Sequence, residues 1–369
     1  MEVLRDVRPL GRLKTIALAL ALPLMATACG GSRQAAPLRP EPTGPQWPIK
    51  TREHVDLWLH GFAMLQEDTA RVPLFARGYR ERMTVLKNSR NVYTDLDANR
   101  DRLARAIAGK PALVGAQFIA LYFGSWEELT RAFEYFQTAE GDPSRASNQE
   151  AQGIIAFLAQ QFPTPEDRDF ARVFVRALGD ESAKFHHDWW VGEQRQRSAA
   201  LARADDLWQD QWRPALQRFL NHTQQANGDL MPSLSLGGEG RALPAGNGSQ
   251  FAVASPSTPD SAEVLLYAFV HEAIGGIAQV AVNDNLTPVQ KRNGLADQYG
   301  SAGLVRGGAI LIDRINPAAA ERYARWYLAQ AGEAVPSSNA LAALAAAFPM
   351  PEEMIESMRR QVDIAFGGI

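Results

Sequence analysis

Residues 269–276 read FVHEAIGG, and the pair His271-Glu272 carries the most specific chemistry in the chain. Within an apolar helix, an imidazole followed by a carboxylate can serve hydrolysis. The ring coordinates a divalent metal, and the carboxylate takes a proton from the water bound to that metal. The arrangement needs a second imidazole one helical turn on, so that both rings face one ion. That position is Gly275, which has no side chain to offer. A third ligand comes from elsewhere, often a Glu on the next long helix. In SAGLVRGGAILIDRI (301–315) the first turn holds Ser301, Ala302 and Gly303, and the nearest carboxylates, Glu321 and Asp297, stand outside the required position.

A second concentration of reactive side chains is AKFHHDWWVGEQ (183–194). Adjacent His186 and His187 project about 100° apart on a helix, so they cannot both hold one ion; with Asp188 each can supply one ligand to a site between helices. The plainer reading is an aromatic and polar cap on a helix pair, continued by Trp208 and Trp212. His54 and His60, six residues apart, fall on different helix faces, and the spacing predicts a solvated His54 and a partly buried His60. His222 stands near a helix end, where a cation suits the dipole. The chain has no GxxxxGK[ST] loop, no strand-linked GxGxxG, no CxxC and no GxSxG elbow. A formal net charge of −3 without a basic block gives no footprint for nucleic acid.

The amino terminus positions all of this relative to a membrane. MEVLRDVRPLGRLK is basic, TIALALALPLMATA is apolar, and Cys29 follows as the only cysteine in 369 residues. These are the charged and hydrophobic regions of a signal peptide, residues 1–28, too short for a mature span. Ala26-Thr27-Ala28-Cys29 resembles the lipobox of bacterial lipoproteins, with Ala26 where Leu is usual. The resemblance implies a lipidated Cys29 and an exported, membrane-anchored protein of the cell envelope. Gly30 after the cysteine favours the outer membrane in a cell that has one. Five prolines between Pro37 and Pro48 then make residues 29–50 an extended tether, so folding is expected to begin near Thr51.

From Thr51 to about Gln225 the apolar spacing is helical. Helices are predicted over Trp126–Thr138, Ser147–Gln161, Pro165–Leu178 and Asp180–Asn221, the last broken at Gly192. Pro111–Gly124, apolar almost all round, is predicted to be a buried central helix. The chain changes character near Asn227. Leu230–Leu236 and Gln250–Ala254 alternate as two short strands around a Gly-rich turn region. One long helix is then predicted from Ser261 to about Val282, followed by helices over 288–294, 301–315, 318–331, 339–348 and 351–366. The fold class is α+β and predominantly helical, with a helical part over 51–225 and a second part over 226–369.

A small β element followed by a His-Glu helix resembles the zincin metallopeptidases, most closely the branch whose third ligand is a downstream Glu. The likeness covers about residues 225–330. It implies that His271 is a zinc ligand, that Glu272 is the general base, and that an edge strand before the helix lines a peptide cleft. With Gly275 at the second ligand position, three readings are open. One is a pseudo-peptidase that binds a peptide, protein or cell-wall partner without cutting it. The second is an active zinc enzyme with borrowed ligands, and the third a purely structural helical lipoprotein whose His-Glu pair is coincidental. Under the first, Gly275 and Gly276 on one helix and Gly303 and Gly307 on the next are expected to let two backbones close over the vanished metal. An internal glycine costs about 1 kcal/mol relative to Ala, so four of them call for such a reason.

Overall fold

The computed structural model describes residues 47–66, 70–245 and 248–367; the expected signal peptide, Cys29 and most of the expected tether lie outside them. The fold is α+β and predominantly helical, as expected. Fifteen α-helices and three strands occur among the described residues. The first half holds α1 (Glu53–Leu65), α2 (Tyr79–Ser89), α3 (Asp95–Gly109), α4 (Trp126–Thr138), α5 (Gln149–Gln161) and α6 (Pro165–Glu181). Then come α7 (His187–Leu207), α8 (Arg213–His222) and the strands β1 (Gly228–Ser233), β2 (Arg241–Ala245) and β3 (Gly248–Ala254). The rest is α9 (Glu263–Ala273), α10 (Gly275–Asn285), α11 (Pro288–Arg292), α12 (Leu295–Ile315), α13 (Pro317–Gln330), α14 (Ala340–Ala347) and α15 (Glu352–Ala365).

Several expectations change. Gly192 does not break its helix, which runs without interruption from His187 to Leu207. Instead, π-helical turns at Ser182–His186 and Trp208–Trp212 join α6, α7 and α8 into one continuous run. Pro111–Tyr122 is a 3-10 helix. Leu113 and the run 116–121 are buried, while Ala112, Gly115 and Tyr122 are exposed. The Ala116 carbonyl accepts a hydrogen bond from Trp58 Nε1 at 3.0 Å.

The sheet has the order β1-β3-β2, with β1 parallel and β2 antiparallel to β3. Alternation along it explains its place in the molecule. Leu230, Phe251 and Val253 enter a core built with α8, α9, α12 and α13, whereas Met231 and Ala252 enter the core of α1 to α6. The sheet is therefore the middle layer, shared by both helical masses. The α7–α8 residues Ala204, Leu216 and Phe219 pack in the second core, with the chain that follows them.

Folding begins before Thr51. Trp47 is buried among Trp208, Phe251 and Phe269, with ring centroids 5.3–6.5 Å apart. Ile49 bridges Leu230 in parallel, with Leu230 N–H donating to Pro48 and Lys50 N–H to Leu230. Lys50 and Arg52 both pair with Asp229. The last residues of the proline-rich stretch thus cover the outer edge of β1.

The first core encloses charge. Glu181, wholly buried, receives Lys87 Nζ at 2.7 and 3.0 Å and faces His60 Nε2 at 3.1 Å. Thr94, which caps α3, also hydrogen-bonds Glu181, and Asp97 lies 2.6 Å from Lys87. Burial alone would raise the Glu181 carboxyl; His60 and Lys87 outweigh it and hold its pKa at about 2. Nearby, Asp56 ties the halves together, accepting from Trp190 Nε1, Ser233 Oγ and the Leu234 N–H at 2.6–2.8 Å. Here burial dominates and its pKa rises to about 6 despite those bonds.

Candidate functional site

His271 and Glu272 close α9, whose apolar residues fix it under the sheet and against α12 and α13. The predicted single helix is in fact two: α9 ends at Ala273, and α10 departs at 41° after Ile274. Position 275 therefore lies beyond a bend, not one straight turn from His271. The His271 ring is buried, 5.3 Å from Tyr327 and nearly parallel to it. Its Nδ1 lies 3.0 Å from Glu272 Oε1. Its Nε2 is buried without a hydrogen-bond partner among the described residues.

Glu272 reaches the sheet. Its Oε1 accepts from the Gly240 N–H at 3.2 Å, just before β2. Burial alone would raise this carboxyl, but the His271 ring, Arg241 and the Gly240 N–H outweigh it and hold it below its ordinary value. A general base at neutral pH wants the opposite shift. Gly240 is required here, since a Cβ would stand 2.5 Å from the Ala252 carbonyl oxygen and 3.2 Å from Glu272 Cγ. Tyr327 completes the assembly by donating to the Gly238 carbonyl at 2.9 Å. Neither Gly240 nor Tyr327, which lies on α13, carries a local sequence signal for this role.

The other residues singled out from sequence lie elsewhere. Glu321 accepts from the Ala340 N–H at 2.9 Å and so caps α14. Asp297 is exposed in the first turn of α12. His186 is buried against His60 and Trp189, with neither ring nitrogen hydrogen-bonded among the described residues, and burial holds its pKa well below the ordinary value. His187 is exposed and pairs with Glu53 at 2.9 Å, and Asp188 is exposed. His54 is buried rather than solvated, its Nε2 2.8 Å from the Phe123 carbonyl, and His60 is wholly rather than partly buried. No three His, Cys, Asp or Glu side chains among the described residues are grouped to hold a metal ion. The orphaned Nε2 is one donor for zinc, and it belongs to no group of three such donors among the described residues. This donor set does not fit a zinc centre of the zincin kind.

The glycines do less than expected. A Cβ at Gly275 would meet only Leu304, at 3.6 Å, and one at Gly276 would face open space. A Cβ at Gly303 would lie 3.5–3.6 Å from Val282, Ala278 and Met350, ordinary contact distances. Only Gly307 of the four is tight, where a Cβ would lie 3.0 Å from Ile274, while at its neighbour Gly308 the Tyr323 hydroxyl would lie 2.2 Å from a Cβ. At positions 275, 303 and 307 the nearest atoms to such a Cβ belong to side chains. Gly276→Ala should therefore raise stability by about 0.5–1 kcal/mol. Gly308→Ala should lower it by about 1–3 kcal/mol through overpacking. Urea melts of the two variants check both signs.

A cleft of about 380 Å³ opens beside the site, between β2 and the 3-10 segment, lined by residues that include Phe118, Tyr122, Phe157, Arg241 and Leu243. The outer edge of β2 pairs with no strand among the described residues, whereas that of β1 is covered by Pro48–Lys50. Comparison with protein families, with curated proteins and with solved structures returns no match.

Proposed function

We propose that this chain is a lipoprotein of the cell envelope, anchored through Cys29, whose His271-Glu272 region binds a peptide without hydrolysing it. The observation that carries this reading is the coupling of Glu272 to the Gly240 N–H at the entrance of β2, the open edge of the sheet. In a zincin-like arrangement that carboxylate would face a metal-bound water. Here it fixes the loop that presents the edge strand, and its lowered pKa suits a permanently ionised anchor. The open edge supplies main-chain donors and acceptors, and the adjoining cleft receives side chains, which is how an extended peptide adds to a sheet. Pro244 in β2 has no N–H, so the stretch of pairing is short.

The test is a labelled pool of random hexapeptides incubated with the chain from Gly44 onward, read by fluorescence anisotropy and by mass spectrometry. Binding that Leu243→Asp weakens, with every peptide recovered intact, is the expected result. Cleaved peptides, with cleavage lost in Glu272→Gln, would replace this reading with the enzyme. Absence of any binding would favour the purely structural role.

A further inference from the structure

Arg241, the first residue of β2, is exposed, and its guanidinium lies over the Phe118 ring, 4.5 Å from the centroid. The structure forms no salt bridge to it among the described residues. The nearby Glu272 carboxylate is committed to His271 and Gly240. Cation–π contact with Phe118 fixes the direction of the guanidinium while leaving its fork of donors open. Around it stand the apolar walls Phe118, Tyr122, Phe157 and Leu243. We propose that this cleft recognises the free carboxyl terminus of a peptide, with the terminal apolar side chain in the pocket and the carboxylate on Arg241. The inference rests on the peptide-binding reading given above.

Three features select a chain end over an internal segment. The open edge is five residues long and is interrupted at Pro244, so only a short run of backbone can pair. The cleft, at about 380 Å³, has room for one or two apolar side chains. No carboxylate among the described residues forms a salt bridge with the cation at its mouth, the nearby Glu272 being held by His271 and Gly240, and a terminal carboxylate supplies the planar, bidentate partner that guanidinium prefers.

The experiment uses two labelled hexapeptide pools, both ending in Leu, Val, Ile or Phe and differing only in a free or an amidated carboxyl terminus. Each is titrated against the chain from Gly44 onward and against its Arg241→Gln variant. The expected result is binding of the free acid about tenfold tighter than the amide, a difference that disappears in Arg241→Gln. Because Arg241 is on the surface, circular dichroism of the variant should match wild type. Equal binding of acid and amide would overturn the carboxylate inference and leave the peptide-binding reading standing. Failure of both pools to bind would overturn the two together.

Discussion

Lys87→Met should lower stability by about 3–5 kcal/mol, because it leaves the Glu181 carboxylate at the centre of a core with its strongest partner gone. The amine makes contacts of 2.7 and 3.0 Å with that carboxylate, and neither side chain is appreciably exposed. His60 and Thr94 remain as partners, so the variant should fold, with a urea midpoint far below wild type. Replacing the pair together, as Lys87→Met with Glu181→Leu, should recover much of the loss, since a buried ion pair adds little over apolar side chains of similar volume. A double variant no better than Lys87→Met would show that the network stabilises beyond its charges.

The same groups set the acid profile. Glu181 has its pKa depressed from 4.5 to about 2, so its stabilisation is complete above pH 4.5 and is lost as pH falls toward 2. Asp56 is shifted the other way, from 3.8 to about 6; the folded state holds that proton more tightly, and stability declines as pH rises from 3.8 to 6. Asp56→Asn should flatten the second slope and leave the first.

Trp47→Ala should cost about 3–5 kcal/mol, the usual range for deleting a fully buried large aromatic side chain. Trp47 is 1% exposed, packs edge-on against three aromatic rings, and its carbonyl accepts from Trp208 Nε1 at 2.9 Å. Cutting the chain at Thr51 should be at least as damaging, since it also uncovers the β1 edge and removes the Lys50 partner of Asp229. Thermal melts of chains beginning at Gly44 and at Thr51 check this. Equal melting temperatures would mean that residues 47–50 rest on the fold without supporting it.

Much of this architecture was legible in the sequence. The helix over Trp126–Thr138 has the predicted bounds, because Ser125 caps it and its apolar residues repeat on one face. Other features had no local signature. RALPA does not read as a strand, with its proline and two alanines, and β2 exists because β3 pairs with it. The end of the tether read as too rich in proline to fold, but Trp47 contributes enough apolar surface to hold it down. The buried charges of the first core come from residues up to 121 positions apart, so periodicity could mark His60 or Glu181 as inward-facing without naming a partner. At the candidate site, the residue types of His271 and Glu272 suggested chemistry, and the structure supplied the geometry that redirects it: a bend before Gly275, an anchor at Gly240 and a stacked Tyr327.

The most direct test of the central claim is the zinc content of the chain from Gly44 onward, purified without chelators, incubated with an excess of zinc, then desalted. Elemental analysis is run beside His271→Ala. The donor set around Nε2 predicts far less than one zinc per chain, unchanged by the substitution. Near-stoichiometric zinc that disappears in His271→Ala would contradict the account and restore a metal centre to the His-Glu pair.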